Sequence, residues 1–591
     1  MKREIDSEVI VISTAQKLEK EDRRLIDEAY ARLRVWKDGA KEMHDRAREA
    51  RKILLLNDPK QDAPGTPANQ RMLQLQTLKS TFNNCVADQM DNVMEAVMTP
   101  ETPEMQGVAD DVNDIVRYIL YANDYQTMHR ERVEDYLGVG TAITQIMWDD
   151  AANDGEGEVR LLRVPLEAFL WDPAEADIQN SRALFKVTWH PISWYRAHYP
   201  DAGRYVQPDE ASDTAVGENE NQEKHQADEP KAMLLEYWYR TYDPETKKYR
   251  IDCAYIAGGA LLEKNENAFA HGMYPFVVDV FTHIEGLPVG NGLVMELAPM
   301  MRYINRYAHY MDVNIRKSAK TRMLVNRAAN VNKEALEDWN SDVIDADRVD
   351  AAAINFLQTP PLTGFATSQM LQMQTDLKQD SGQNQFTRGE TAGGVTAASA
   401  IASLQEAGGK QTRMRTEALK RGFKAIAEQI LWLISEFYDE KRKRMITGKD
   451  ESYREIDMSP SRIMGRRGKA IPKPPYAVRI NIQRMNPATV GAQNQLFIDA
   501  YKMSAESGNV FPLSVLFRIL NIDGKDQILP VIDAVEQQTA QMQALAQENE
   551  QLNQVVQDQQ KSIQAMKKSL LESTAQSVSL SSQNAMRTAA Q

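Results

Sequence analysis

The stretch Gly382–Gln411, GQNQFTRGETAGGVTAASAIASLQEAGGKQ, sets glycines ahead of a helical pattern, as a phosphate-binding loop does. Such a loop needs Gly, four residues, then Gly-Lys-Ser/Thr directly after a buried strand, so that backbone amides and the lysine meet phosphate. Here Lys410 precedes Gln411, and Gly408–Gly409 falls inside helical pattern rather than in front of it. Spacing therefore argues against a nucleotide site. The eight histidines, His44, His129, His190, His198, His225, His271, His283 and His309, include no pair at helical ligand spacing, and none adjoins a cysteine. They read as surface or satisfied core residues, and no metal is expected. A Gly-x-Ser-x-Gly elbow is absent, and no carboxylate pair stands out as an acid/base couple. A binding or structural role outranks an enzyme, and no cofactor is expected.

Composition narrows the class further. At 591 residues with 42% apolar and 26% charged side chains, the chain is long enough for several domains and reads as globular rather than disordered. The formal net charge of −14 argues against a surface that clings to nucleic acid through phosphate contacts, though not against one that lets nucleic acid slide past. Cys85 and Cys253 fit neither a disulfide framework nor a metal cluster and suit a reducing compartment. The apolar run in MKREIDSEVIVISTAQ is too short and interrupted for a signal peptide. Ala425–Phe437 carries Glu428 and Glu436 and is too short to span a bilayer, so an intracellular, soluble protein with no membrane partner is expected.

The elements that must carry the glycine stretch follow from periodicity. Thr14–Leu55 is helical by the spacing of Leu25, Tyr30, Leu33 and Trp36; Asn57–Gln70 is a loop; helix is predicted over about Arg71–Met98 and Ala109–Thr144. Strands are predicted within Glu158–Pro173, Arg182–Ile192, Lys231–Tyr242, KKYRIDCAYIAGGALLEK and FVVDVFTHIEG, with Asp209–Pro230 as an acidic, mobile surface insertion. Helix returns after Gly292: Leu293, Leu297, Met300, Ile304, Tyr307, Met311 and Ile315 share one face. Arg302, Arg306, His309, Arg316 and Lys320 share the opposite face, and Pro299 kinks the helix or marks its true start.

Thr321–Leu362 is a small mixed segment whose part Glu334–Asp350 holds seven carboxylates against one arginine. A short helix, about Thr367–Asp380, precedes the glycine stretch. A long helix, about Thr396–Met445, follows it, with Leu419, Phe423, Ile426, Ile430, Leu433 and Phe437 as a buried stripe. Its first half is rich in small residues and includes Gly408–Gly409, which suits close packing and a bend. Tyr476–Arg484 is one more strand, and shorter helices run to about Val535. From there Met542, Leu545, Asn549, Leu552, Val556, Gln559, Ile563, Met566 and Leu570 form a heptad seam that fades after Leu571 into a polar end.

Each feature also has a plain reading. The basic stripe fits a solvated helix face, the acidic cluster a solvated loop, and the glycine stretch a linker. KRKR at Lys441–Arg444 suits the C-terminal end of a helix dipole. The heptads fit a homodimeric coiled coil, a hetero-partner helix or a larger parallel bundle.

The order of parts is more specific than any one of them. Together with RVPLEAFLWDPAEADIQNSRALFKVTW, MRYINRYAHYMDVNIRKSAKTRMLVN and GETAGGVTAASAIASLQEAGGKQTRMRTEALKRGF, it resembles the portal proteins of tailed bacteriophages, especially short-tailed phages. The resemblance spans most of the chain. It implies an α+β, mainly helical portal fold: residues 1–291 as N-terminal helices and α/β wing, 292–320 and 363–381 as stem helices, and 321–362 as clip. Residues 382–395 become the tunnel loop, 396–447 a long channel-to-wing helix, 448–485 wing return strands, 486–534 crown, and 535–591 a C-terminal coiled-coil barrel.

It further implies a homo-oligomeric ring, a dodecamer, at one capsid vertex of the virion, assembled in host cytoplasm. Double-stranded DNA would pass through it during packaging and ejection, and the terminase large subunit, a tail adaptor, capsid and scaffolding protein would be partners. The implied channel residues are Gln383, Asn384, Gln385, Phe386, Thr387, Arg388, Gly389, Glu390, Gly393 and Gly394. Arg302, Arg306, Arg316 and Lys320 form the basic stem face, and Glu334, Glu337, Asp338, Trp339 and Asp342 mark the clip. An acidic bore keeps DNA, with about one charge per 1.7 Å of axis, from sticking while a motor drives it. A glycine-rich loop can differ in conformation between successive subunits around a symmetry-mismatched helix. The alternative is a non-viral oligomeric scaffold assembled through the C-terminal coiled coil, with an enzyme as a third class.

Overall fold

A computed structural model describes residues 19–62, 71–209, 229–244, 247–319, 322–338, 345–347, 354–357, 364–383, 409–438, 443–447, 453–465, 473–484, 487–506, 513–519 and 525–589. These fall into two compact units, one reaching to Met485 and the other beginning at Asn486 apart from a few residues near 450.

The first unit opens with α1 (Lys20–Leu54), which buries Ile26, Ala29, Leu33, Trp36, Ala40, Met43, Ala47 and Ala50 in alternating steps of three and four. Trp36 packs edge-on to Phe185 at 5.5 Å, so α1 lies on the sheet. After α2 (Thr77–Met90) comes β1 (Asn92–Pro100), where helix is predicted through Met98. The reason is a distant partner: β1 pairs antiparallel along its whole length with the last strand of the unit, Asn92 facing Arg484 and Pro100 facing Tyr476. That pairing turns Ala96 and Met98 inward and overrides local helical preference.

A second departure follows. Helix α3 (Ala109–Ala122) ends at Asn123, Asp124 takes a left-handed conformation at φ 46°, and α4 (Tyr125–Gly138) starts anew. Thr141–Asp149, predicted partly as helix, is strand β2, buried on both faces from Thr141 to Ile146. Gly140 makes the turn at φ +94°, where a Cβ would lie 2.2 Å from the Asn291 backbone.

The predicted strands form two antiparallel sheets. In the smaller, β2 sits between β3 (Glu158–Val164) and β9 (Phe276–Val280). The larger is a meander of β4 (Phe169–Trp171), β5 (Ala183–Pro191), β6 (Lys231–Asp243), β7 (Lys248–Ala257) and β8 (Ala260–Asn265). Its core holds Phe169, Trp171, Phe185, Tyr237 and Trp238. Most of the acidic insertion, residues 210–228, lies outside the described residues.

Helix α5 (Leu293–Ala319) carries Pro299 inside it rather than at its start. The small mixed segment pairs β10 (Arg322–Val325) with β11 (Ile354–Leu357) and holds the short helix Lys333–Glu337. Then come α6 (Gly364–Asp380) and α7 (Lys410–Phe437). The predicted stripe is buried from Leu419 to Leu433, with Phe437 half-buried at the end.

Helix α7 is shorter than predicted at its C-terminal end. Tyr438 turns extended at ψ 138°, sinks its ring into the core and donates its hydroxyl to Glu158 Oε1 at 2.8 Å. Lys443 and Arg444 of KRKR then belong to β12 (Lys443–Thr447), paired with β13 (Tyr453–Asp457), and do not cap a helix. At the other end Gly409 occupies the N-cap position, while residues 396–408 of the predicted helix lie outside the described residues. Strand β14 (Tyr476–Arg484) closes the unit against β1.

The second unit holds α8 (Pro487–Glu506), α9 (Leu513–Ile519) and α10 (Lys525–Thr588). Ser514 ties α9 to α10 by donating its backbone N–H and its hydroxyl to the Glu536 carboxylate, at 3.1 and 2.6 Å. Helix α10 runs on to Thr588, past the expected fading of its seam, because the polar end has no Gly or Pro to stop it. Met542, Leu545, Leu552, Ile563, Met566 and Leu570 of the seam are all more than half exposed.

Candidate functional site

The glycine stretch leaves α6 and enters α7, so its position depends on how those two ends are held. Helix α6 finishes in a Schellman motif: the Gln383 N–H donates to the Lys378 carbonyl at 3.0 Å and the Gly382 N–H to Gln379 at 2.9 Å. Gly382 supplies the left-handed residue at φ +87°. A Cβ there would lie 2.5 Å from Gln411 Oε1, so the first turn of α7 sits directly against the end of α6.

Both ends rest on α2. Its buried stripe runs Leu78, Phe82, Cys85, Gln89, steps of four, three and four that end in polar side chains. The Gln383 amide, itself buried, donates to the Asp88 carboxylate and lies 3.8 Å from the Cys85 sulfur. The Cys85 thiol lies 3.6 Å from the Ser381 carbonyl, and burial pushes its pKa up. On the α7 side, Gln89 donates to the Thr412 carbonyl at 3.3 Å and accepts from the Thr416 hydroxyl at 3.0 Å. Arg415 is buried against the Phe281 ring at 5.3 Å with one nitrogen 3.7 Å from Cys85 Sγ. Burial also pushes the Asp88 carboxyl up to about 6, against the opposing pull of Gln383 and Arg415 and with Asp91 adding to the rise.

Further along α7 a buried ion pair holds the helix to the sheet. Arg132 of α4 and Asp279 of β9 meet at 2.6 Å with side chains 2% and 1% exposed, and Arg132 also donates to the Leu419 carbonyl at 2.9 Å. Helix α7 crosses the pair at Gly422, where a Cβ would lie 1.8 Å from Asp279 Oδ1 and a side chain has no room.

The helices of the predicted stem pack together through Met300, Met370, Met373 and Leu377. On α5 burial stops at Asn305, whose Oδ1 accepts from the Leu75 N–H at 3.0 Å and whose amide donates to Gln61 at 3.1 Å. Leu377 is the buried residue of α6. The predicted apolar face of α5 therefore divides: Leu293, Leu297 and Ile304 are core, while Ile315 is 63% exposed.

The basic face divides too. Arg302 is tied within the chain to Asp58 at 2.7 Å and Glu49 at 2.6 Å, and Glu49 also takes Lys60. Burial works against the charge on Glu49, but Lys60 and Arg302 outweigh it and leave the carboxyl below its usual range. Arg306 is exposed over the Tyr303 ring, Arg316 is exposed and pairs with Asp312 at 2.7 Å, and Lys320 lies outside the described residues.

Of the clip residues, Glu334 is exposed with its N–H capped by Asn332 at 3.1 Å, Glu337 ends the short helix, and Asp338 is exposed just after it. Trp339 and Asp342 lie outside the described residues, as do Asn384, Gln385, Phe386, Thr387, Arg388, Gly389, Glu390, Gly393 and Gly394. The described end of the loop is thus Gln383. The residues that hold it, Cys85, Asp88, Gln89 and Arg415, went unpredicted. Their signal was the polar continuation of an apolar helical stripe at Gln89. Among the described residues no three His, Cys, Asp or Glu side chains gather as a metal site, and no helix is long and apolar enough to cross a membrane.

Comparison with known proteins identifies the family. Over 280 residues, 44% of this chain, the sequence is 21% identical to a portal protein of Helicobacter pylori bacteriophage KHP30, and the match spans 43% of that relative's length. The family described as Phage P22-like portal protein matches residues 15–578. A match over nearly the whole length places the chain in the phage P22-like portal protein family, whose members are structural phage proteins and not enzymes.

Proposed function

We propose that twelve copies close head to tail into a ring at one capsid vertex, and that double-stranded DNA enters and leaves through its bore. The observation that best supports this is where burial stops along the α5–α6 pair. Beyond Asn305 the single chain leaves Tyr310 and Ile315 of α5, and Phe365 and Leu371 of α6, each more than half exposed. Covering such side chains is worth roughly 1.5–3 kcal/mol each, and a closed ring gives every helix pair two neighbours that can do so.

In this reading α5 and α6 form the stem, and residues 321–362 form the clip that meets the terminase large subunit during packaging and a tail adaptor afterwards. The segment 382–395 lines the narrowest part of the channel. Residues 448–485 return to the wing, 486–534 form the crown, and α10 contributes to a barrel of parallel helices. Capsid and scaffolding protein surround the ring during assembly. With Arg302 neutralised inside the chain, Arg306, Arg316 and Lys317 are exposed cations of the described stem, Arg316 beside Asp312. A net charge of −14 per copy keeps the particle acidic and the DNA unbound.

Negative-stain images of the purified full chain test the reading: rings with a central opening are expected. Monomers or dimers under every assembly condition overturn it. Rods favour a scaffold assembled through the exposed seam of α10. Truncation after Ile532 separates these further, since the ring is expected to keep its copy number without α10 beyond Ile532, whereas the scaffold falls apart.

A further inference from the structure

The two ends of the segment 384–408 meet on one helical turn. We propose that the last turn of α2, through Asp88 and Gln89, is the shared anchor that positions the channel loop by holding both of its ends. This rests on the reading of the segment as a channel loop. Asp88 takes the end that leaves α6, through the Gln383 amide. Gln89, one residue on, takes the end that enters α7, through the Thr412 carbonyl and Thr416 hydroxyl. Cys85, one turn earlier, touches both sides, lying by Ser381 and Gln383 and by Arg415.

The chemistry of the contacts argues for placement rather than bulk stability. Gln89 is 1% and Gln383 3% exposed, yet each spends its amide on a specific partner across more than two hundred residues of sequence. An apolar pair at these positions fills the same space without a directional bond; a side-chain amide bond fixes orientation as well as distance. Asp88 sits among Gln383, Cys85, Arg415 and Asp91, a partly buried carboxylate retained where a neutral group costs less. Such a group makes sense where an oriented acceptor is needed. Because Gly382 and Gln411 abut, a shift of α2 by part of a turn carries both ends of the segment together. Asp88 and Gln89 are therefore positioning residues, acting on the loop through Gln383 and Thr412–Thr416.

The test compares Asp88→Ala/Gln89→Ala with the conservative Asp88→Asn in the full chain. Backbone hydrogen exchange is followed at Ser381–Gln383 and at Lys410–Thr416, and genome packaging is followed by complementation of particles. The double alanine variant is expected to raise exchange at least tenfold at both ends, leave β2 unchanged, keep oligomer mass, and lower packaged DNA at least tenfold. Asp88→Asn keeps an acceptor for Gln383 and is expected to restore that end and most of the packaging. Exchange that rises at one end only overturns the shared anchor. Normal packaging with both ends loosened overturns the positioning role. A Gly393→Pro/Gly394→Pro variant is run beside them: if it too packages normally, the channel reading is what has failed.

Discussion

Gly422→Ala probes the seat of α7, the helix on which the glycine segment ends. A methyl group there would lie 1.8 Å from Asp279 Oδ1 and 2.4 Å from Arg132 Nη2, where ordinary contact begins near 3.4 Å. A displacement of about 1.5 Å has to be found, and neither side yields cheaply. If the Arg132–Asp279 pair opens, two charged groups with side chains 2% and 1% exposed lose their partner, a cost of about 3–5 kcal/mol when such a pair is broken. If α7 lifts instead, the Arg132 bond to the Leu419 carbonyl stretches and Leu419, Phe423 and Ile426 part from the core. Against this, alanine favours helix over glycine by about 1 kcal/mol. The net expectation is a loss of about 2–4 kcal/mol, read as a lower urea midpoint by tryptophan fluorescence. Trp148 is a suitable reporter, since it stacks on Phe437 of α7 at 5.0 Å. Lys424→Ala, on the exposed face of α7, is the control and is expected to stay within about 0.5 kcal/mol. A Gly422→Ala chain as stable as wild type would refute the claim that α7 crosses the ion pair at contact distance.

Three further outcomes follow from ionisable groups. Asp88, raised from 3.8 to about 6, lends the fold stability below the ordinary carboxylate range that is lost as pH rises through 6. The full shift corresponds to about 3 kcal/mol, and partial exposure reduces it to about 1–2. Asp88→Asn is therefore expected to be more stable than wild type at pH 7.5, with the gap closing by pH 4 in urea titrations. His129 is buried with both ring nitrogens unpaired and is held down to about 3, by burial first and Arg132 second. Its lowered value gives stability that is present above pH 6.5 and drains away as pH falls, so His129→Phe is expected to raise stability by about 1 kcal/mol at neutral pH and to flatten the acid limb. Glu49, held below its usual range once Lys60 and Arg302 outweigh burial, contributes above that range and is lost as pH falls through its lowered value. Arg302→Met is expected to weaken that acid dependence, measured as the change in urea midpoint between pH 6 and pH 3.5.

Legibility in the sequence divided along one physical line, local against distant. Helix α1, the strands between Glu158 and Asn265 and the stripe of α7 were readable because period and side-chain type agreed over long spans. The segments Asn92–Pro100 and Thr141–Asp149 were misread because their strand character is settled by partners far along the chain, Tyr476–Arg484 for one and Phe276–Val280 for the other. The end of α7 was misplaced because Tyr438 leaves the helix to reach Glu158 across the core. The glycine segment was singled out by composition alone. What holds it showed only as a polar residue continuing an apolar stripe, since a glutamine on α2 gains meaning only when Thr412 and Thr416 are brought beside it.

The same division bears on how the chain works. Directional polar contacts gather where the residues flanking the glycine segment and the first half of α5 meet the rest of the first unit: Gln383 with Asp88, Gln89 with Thr412, Asn305 with Leu75, Arg302 with Asp58. Beyond these points α5 and α6 leave Tyr310, Ile315, Phe365 and Leu371 more than half exposed, the surface that the proposed ring would cover. Under the proposed anchor, a shift of α2 is carried to Gln383 and to Thr412–Thr416, the residues on either side of the glycine segment. A fold whose core continued into the stem would lack that boundary, and its glycine segment would be placed by the stem alone.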